Sequence, residues 1–112
     1  MNQASEFIAR IRFNESGLVP VITQDSVSKE VLMMAWMNAD AVQLTIDTGL
    51  GTYFSRSRNK IWVKGEESGN SQLVRSLRAD CDGDTLLMIV DQNGPACHTG
   101  SPTCFFDQGI VK

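Results

Sequence analysis

The stretch QLVRSLRADCDGDTLLMIVDQ, residues 72–92, constrains the fold more than any other part of the chain. Over residues 72–80, Leu73, Arg75 and Leu77 alternate with Val74, Ser76 and Arg78, the period-two signature of a strand. The last part, TLLMIVDQ (85–92), is a continuous apolar run and predicts a strand buried on both faces. Between them, Asp82 and Gly83 supply the turn chemistry that a strand-to-strand corner needs. That corner, DCDGD, also holds three carboxylates and a thiol. Uncompensated, the like charges repel. A surface turn tolerates this in water, and a metal ion would exploit it.

The rest of the chain reads as short elements around this unit. Residues 3–11 predict a short helix. LVPVITQD (18–25) reads as a strand, and Pro20 near its start points to a sheet edge, because proline donates no ladder hydrogen bond. SVSKE (26–30) follows as a turn and VLMMAWMN (31–38) as a second strand, together a hairpin. Asn38 is a helix N-cap. Residues 39–48 repeat apolar side chains at helical spacing (Ala39, Val42, Ile46), and Gly49 ends that helix. GTYFSRS (51–57) and IWVK (61–64) return to β character, separated from the 72–80 strand by the loop GEESGNS. The tail is rich in Gly, Pro, Ser and Thr and reads as loop, with a short strand near residues 104–106. The sum is an α+β fold: a mainly antiparallel, barrel-like sheet with one or two helices.

A chain of 112 residues fits one domain, spanning 1–112. Its formal charge of −3 opposes nucleic-acid or anionic-membrane partners, which call for a basic balance. A local basic pocket for a phosphorylated small molecule is still compatible. The N-terminus shows no secretory signal, and no apolar run approaches the roughly 20 residues of a membrane span. A cytoplasmic location is the expectation. Three cysteines, an odd number without a secretory signal, speak against a disulfide framework.

Cys81, Cys97 and Cys104 are either small buried hydrophobes or metal or catalytic groups. Their spacing lacks the paired knuckle of a structural zinc site. The single histidine, His98, directly follows Cys97, and adjacent side chains rarely reach one ion comfortably. Three thiolates with an open position is the simpler zinc reading. Zinc lowers the pKa of water at such a position to roughly 7, which supplies hydroxide for catalysis. His98 is then left as a general base or acid, the alternative being an ordinary loop histidine. Asp80, Asp82 and Asp84 would share one face of an extended segment, with Cys81 on the other. Hard oxygens suit magnesium as sulfur suits zinc. An EF-hand fails on context, because Gly83 comes too early and an apolar strand follows. The alternative is a solvated turn.

The segment SRSRNKIWVKGEESGN (55–70) gathers Arg56, Arg58, Lys60 and Lys64 in an otherwise acidic chain. Arg56 and Arg58 alternate and would share a strand face, where guanidinium forks suit phosphate. Trp62 would stack on a base or fill the core. A solvated basic strand explains the same spacing.

GLVPVITQD, VLMMAWMN, YFSRSRNKIWVKGEESGN, DCDGDTLL and the GPACHTG–TCF pair resemble the phosphoribosyl-AMP cyclohydrolases of histidine biosynthesis, from about Gly17 to Phe105. The resemblance implies hydrolytic opening of the N1–C6 bond of the phosphoribosylated adenine ring. It implies zinc on Cys81, Cys97 and Cys104, and magnesium on Asp80, Asp82 and Asp84. It also implies a homodimer in which the zinc site is shared, with Cys81 from one chain and Cys97 and Cys104 from the other. His98 would handle the proton, and Arg56, Arg58, Trp62 and Lys64 would hold the substrate. Some relatives carry a fused pyrophosphohydrolase domain, and none is expected here. The rival readings are a non-catalytic zinc module, which needs four protein ligands, and a redox-sensing thiol protein, which needs a close cysteine pair.

Overall fold

The structure, a computed structural model, describes residues 3–112. In chain order it contains helix α1 (Gln3–Ala9), strands β1 (Val19–Asp25) and β2 (Val31–Met37), helix α2 (Ala39–Thr48), and strands β3 (Thr52–Ser55), β4 (Lys60–Val63), β5 (Gln72–Ala79) and β6 (Leu86–Gln92). Four strands form one sheet in the order β2-β1-β6-β5, and β3 and β4 form a separate antiparallel pair. The β1–β2 and β5–β6 hairpins are antiparallel, as their short turns require. The two central strands, β1 and β6, are parallel, because every element from β2 to β5 is inserted between them.

The fold is α+β and mainly antiparallel, but the expected barrel is not closed. Both edges of the four-stranded sheet are taken by other segments. Along β5, the Gly51 N–H donates to the Gln72 carbonyl (2.9 Å) and the Val74 N–H donates to the Gly49 carbonyl (2.8 Å). Along β2, the Cys104 N–H donates to the Leu32 carbonyl (2.7 Å) and the Thr103 hydroxyl to the Val31 carbonyl (2.7 Å). With these edge groups occupied, β2 and β5 do not pair to close a ladder. The strand expected near residues 104–106 is replaced by this brief contact with β2.

Other expectations are corrected in detail. β1 is central, not an edge, and Pro20 is tolerated because pairing with β6 begins only at Val21. On β6, Leu86, Met88 and Val90 are buried, while Leu87 and Ile89 are half-buried. One face of this strand is therefore covered and the other is partly open. On α2, Asn38 caps the N-terminus by accepting from the Ala41 N–H (2.8 Å), and Gly49 closes the C-terminus at φ 74°. Of the apolar residues expected on its inner face, Ala41 and Val42 are buried, with Thr45 beside them, while Ala39, Leu44 and Ile46 are exposed. The helix is turned this way because the Thr45 hydroxyl donates to the Thr52 carbonyl and accepts from the Thr52 N–H.

Val19, Val21, Leu86, Met88 and Val90 pack with Met37, Ala41, Val42 and Tyr53 to form the core. Within it runs a chain of polar side chains. The fully buried Tyr53 hydroxyl donates to Gln72 Oε1 (2.5 Å) and shares a hydrogen bond with Thr23 Oγ1 (2.9 Å). Gln72 Nε2 donates onward to Gln92 Oε1 (2.8 Å). Burial raises the Tyr53 phenol well above its usual range, so it remains a donor at any physiological pH. Replacing Tyr53 by Phe leaves Thr23 and Gln72 without this partner in the core. Urea unfolding is expected to show a loss of about 1–3 kcal/mol.

Asp25 shapes the β1–β2 turn by accepting from the Val27 (3.0 Å) and Ser28 (2.8 Å) N–H groups. The Ser28 N–H is the main cause holding this carboxyl below 3.8, against the effect of burial. The unfolded chain therefore binds the proton more readily, and this contribution is present above 3.8 and lost as the pH falls through the depressed value. Chemical denaturation between about pH 5 and about pH 3 should show a smaller loss of stability in Asp25→Ala than in the parent chain.

Candidate metal centre

The corner between β5 and β6 is a tight turn. The Asp80 N–H donates to the Thr85 carbonyl (2.9 Å), and the Gly83 N–H donates to the Asp80 carbonyl (3.1 Å). Gly83 lies at φ +76°, where side chains are rarely placed, and a Cβ there would sit 2.5 Å from the Arg10 carbonyl oxygen. The Arg12 N–H donates to the Gly83 carbonyl (2.7 Å), so the segment after α1 presses directly against the turn. The glycine is required by both its dihedral and its neighbour.

This turn, not an extended strand face, brings the three carboxylates together. One oxygen each of Asp80, Asp82 and Asp84 can be chosen so that all lie within 4.8 Å of one another, and all three residues are exposed. Among the described residues this is the only such group of three or more acidic, thiol or imidazole ligands. Loss of water opposes ionisation of Asp80, but hydrogen bonds from Asp82 and from the Asp84 and Thr85 backbone together keep its carboxyl below the usual value. Asp84 is pushed up, first by its hydrogen bond with Asp82 and then by loss of water and the neighbouring charges. Such a cluster of oxygens could bind a hard divalent cation, which would relieve the repulsion.

The thiols divide between two places. Residues 96–102 fold back on themselves, with the Ala96 N–H donating to the Pro102 carbonyl (3.3 Å) and the Cys97 N–H to the Ser101 carbonyl (3.1 Å). This reversal, together with the anchoring of Cys104 on β2, sets Cys97 and Cys104 close enough to influence each other's ionisation. The Thr99 hydroxyl donates to Cys97 Sγ (3.1 Å) and is the main cause lowering that thiol's pKa. Cys104 is pushed up, first by loss of water around its sulfur and then by Cys97. Cys81 is exposed in the DCDGD turn and forms no three-ligand cluster with the other two within one chain. Thr99 was not singled out in the sequence, because one hydroxyl among many in a Ser/Thr-rich tail carries no periodic signal.

His98 is exposed beside this pair. Arg56 and Arg58 do not share a strand face, because β3 ends at Ser55 and both residues lie in the turn to β4. Lys64 is separate from them, its Nζ donating to the Ala96 carbonyl (2.6 Å). Arg56 lies over the Trp36 ring, 4.7 Å from its centroid. Trp62 packs on Tyr53, its cross-strand partner, with centroids 5.1 Å apart. Trp36, Arg56, Trp62 and Phe54 line an open cleft of about 470 Å³. In the sequence Trp36 is one apolar residue within the expected strand VLMMAWMN, and nothing local marks it out. Only the approach of the β3–β4 hairpin to β2 turns it into a cleft wall.

The fold and these side chains define an α+β domain with an acidic corner able to hold a metal ion and an aromatic cleft carrying an arginine. Comparison with known sequences narrows this class. The description of the phosphoribosyl-AMP cyclohydrolase family matches residues 33–106. Similar proteins, each named phosphoribosyl-AMP cyclohydrolase, occur in Micrococcus luteus (56% identical over 106 residues, 95% of this chain and 84% of the relative), Acidiphilium cryptum (58% over 99 residues, 88% and 85%) and Neisseria gonorrhoeae (59% over 97 residues, 86% and 74%). The chain belongs to the phosphoribosyl-AMP cyclohydrolase family.

Gly83→Ala should destabilise the chain by more than the ~1–2 kcal/mol that left-handed backbone alone costs an L-residue. The excess comes from the collision with the Arg10 carbonyl, and a thermal melt compared with a surface glycine substitution, Gly69→Ala, measures it. Gly69 has the same sign of φ with open space around it.

Proposed function

We propose that this chain is a metal-dependent hydrolase that opens the adenine ring of 1-(5-phosphoribosyl)-AMP in histidine biosynthesis, residues 1–112 forming one cyclohydrolase domain. The observation that carries the reading is the arrangement of ligands in a chain of this family. Three carboxylates converge in one turn and two cysteines meet in one loop, while the third cysteine sits in the carboxylate turn. In the reaction, a water oxygen bonds to C6 and the N1–C6 bond breaks. The electrons of that bond stay on N1, and C6 becomes a carboxamide carbon. Ribosylation at N1 makes the ring cationic, so C6 is already electrophilic.

The donor sets fit the metals the family reading calls for. Thiols suit zinc, and the oxygens of Asp80, Asp82 and Asp84 suit magnesium. When bound at Cys81, Cys97 and Cys104, zinc supplies the Lewis acidity that makes water nucleophilic near neutral pH. The Thr99 hydroxyl favours the thiolate form of Cys97, as a ligand requires. His98, exposed next to Cys97, takes a proton from the attacking water or returns one at N1. In the cleft, Trp36 and Trp62 offer faces for the purine; Arg56 in its lining and Arg58 in the same turn are the phosphate candidates.

A homodimer completes the zinc site, since one chain brings only two of its cysteines together. Support for a second copy comes from the half-open face of the main sheet. Ile22 is 37% exposed and Met34 44% exposed, and they stand beside the half-buried Leu87 and Ile89. The substrate is a small phosphorylated nucleotide, and the reaction needs no nucleic acid or membrane. No described helix is long and apolar enough to cross a membrane, and the reading places the enzyme in the cytoplasm.

Metal-stripped protein mixed with phosphoribosyl-AMP should leave the ultraviolet spectrum unchanged until zinc is added, and magnesium should raise the rate further. A folded, zinc-loaded dimer with no turnover would overturn the reading in favour of a structural zinc module. Cys81→Ser and Cys97→Ser variants, each inactive alone, should regain activity when mixed, because a hybrid dimer keeps one intact site. Trp36→Ala should raise KM about tenfold, measured by the same assay.

A further inference from the structure

Lys64 stands apart from the basic cluster that surrounds it in sequence. Its backbone N–H donates to the Gly51 carbonyl (2.9 Å), fixing it just beyond the end of β4. Its Nζ lies over the Trp62 ring, 5.6 Å from the centroid. Nζ ends at the Ala96 carbonyl, 2.6 Å away, in the peptide that links Ala96 to Cys97. Ala96 is 1% exposed and Cys97 7% exposed, and the half-buried Lys64 reaches them through a partly buried hydrogen bond. Arg56 and Arg58 remain in the β3–β4 turn, where neither donates to the cysteine loop.

We infer that Lys64 is a positioning residue for the cysteine pair and not a ligand for substrate phosphate. Its hydrogen bond ties the loop of residues 96–104 to the end of β4 and holds an ammonium at the peptide that leads into Cys97. Three thiolates on a divalent ion leave a surplus of negative charge, which weakens the ion as a Lewis acid. A fixed ammonium at the peptide before Cys97 would offset part of that surplus without becoming a ligand. The hydrogen bond to Ala96 also commits one of the three ammonium donors before substrate arrives.

The inference rests on the zinc reading proposed above, so the deciding measurement is zinc affinity, read by competition with a chromogenic chelator on the full chain. Lys64→Met, which keeps most of the stem and removes the charge and the donor, should weaken zinc binding by about 10–100-fold. The KM for phosphoribosyl-AMP should stay within about twofold, with the loss falling on kcat at limiting zinc. Lys64→Arg should recover most of the zinc affinity. Lys64→Gln, which keeps a donor without the charge, should bind zinc with intermediate affinity, and it decides the matter if Lys64→Met does not fold. A KM raised about tenfold or more with zinc affinity unchanged would overturn the inference and return Lys64 to the phosphates. Unchanged zinc affinity in every folded variant would also overturn it. If the parent chain binds zinc but does not turn over, the catalytic reading fails while the affinity series still decides the role of Lys64.

Discussion

The buried hydroxyl of Tyr53 is the point on which the two sheets agree. A phenol fully out of water must be paired, and its partners lie on two different strands of the main sheet, Thr23 on β1 and Gln72 on β5. The β3–β4 hairpin makes no strand ladder with that sheet, so this polar contact, the packing around it and the backbone bonds of Gly49 and Gly51 to β5 set where the hairpin sits. Gly51 makes the approach possible, since a Cβ there would lie 2.5 Å from Gln72 Oε1. The hairpin carries Arg56 in its turn, Trp62 in β4 and Lys64 just beyond it. The cleft against Trp36 and the attachment of Lys64 to the cysteine loop both inherit their geometry from one satisfied core network.

The two ligand sets lie in loops, and each loop is held by backbone contacts from far along the chain. Arg10 and Arg12 close on Gly83, while the Leu32 carbonyl holds Cys104. Loop segments are fixed in this way because their own peptide groups are consumed by neighbours. The acidic corner carries one thiol, Cys81, among its three carboxylates, while Cys97 and Cys104 lie in the C-terminal loop. The division of the cysteines and the half-open apolar face of the sheet are both features that a second copy of the chain would resolve.

Much of the local structure was legible because it depends on neighbours in sequence. The Asn38 and Gly49 caps, the β1–β2 hairpin and the DCDGD corner all follow from short-range chemistry, and they stand where the sequence places them. Errors cluster where a partner far along the chain decides. Pro20 reads as an edge signal, yet β1 is central, because register and not composition spares its missing N–H. The stripe on α2 is displaced because Thr52 recruits Thr45 inward. The strand expectation for Arg56 and Arg58 fails because alternation over three residues does not distinguish a strand from a turn.

The sequence by itself determined the elements, the turn chemistry of the corner, the candidate ligands and the family, since each is written in adjacent residues or in motifs. Tertiary structure decided the parallel pairing of β1 with β6, the open sheet, the pairing of Cys97 with Cys104 apart from Cys81, and the attachment of Lys64 to the cysteine loop. Those depend on contacts between residues tens of positions apart. Such contacts are set by which buried polar groups find partners and which edges are covered, and no local pattern encodes that choice.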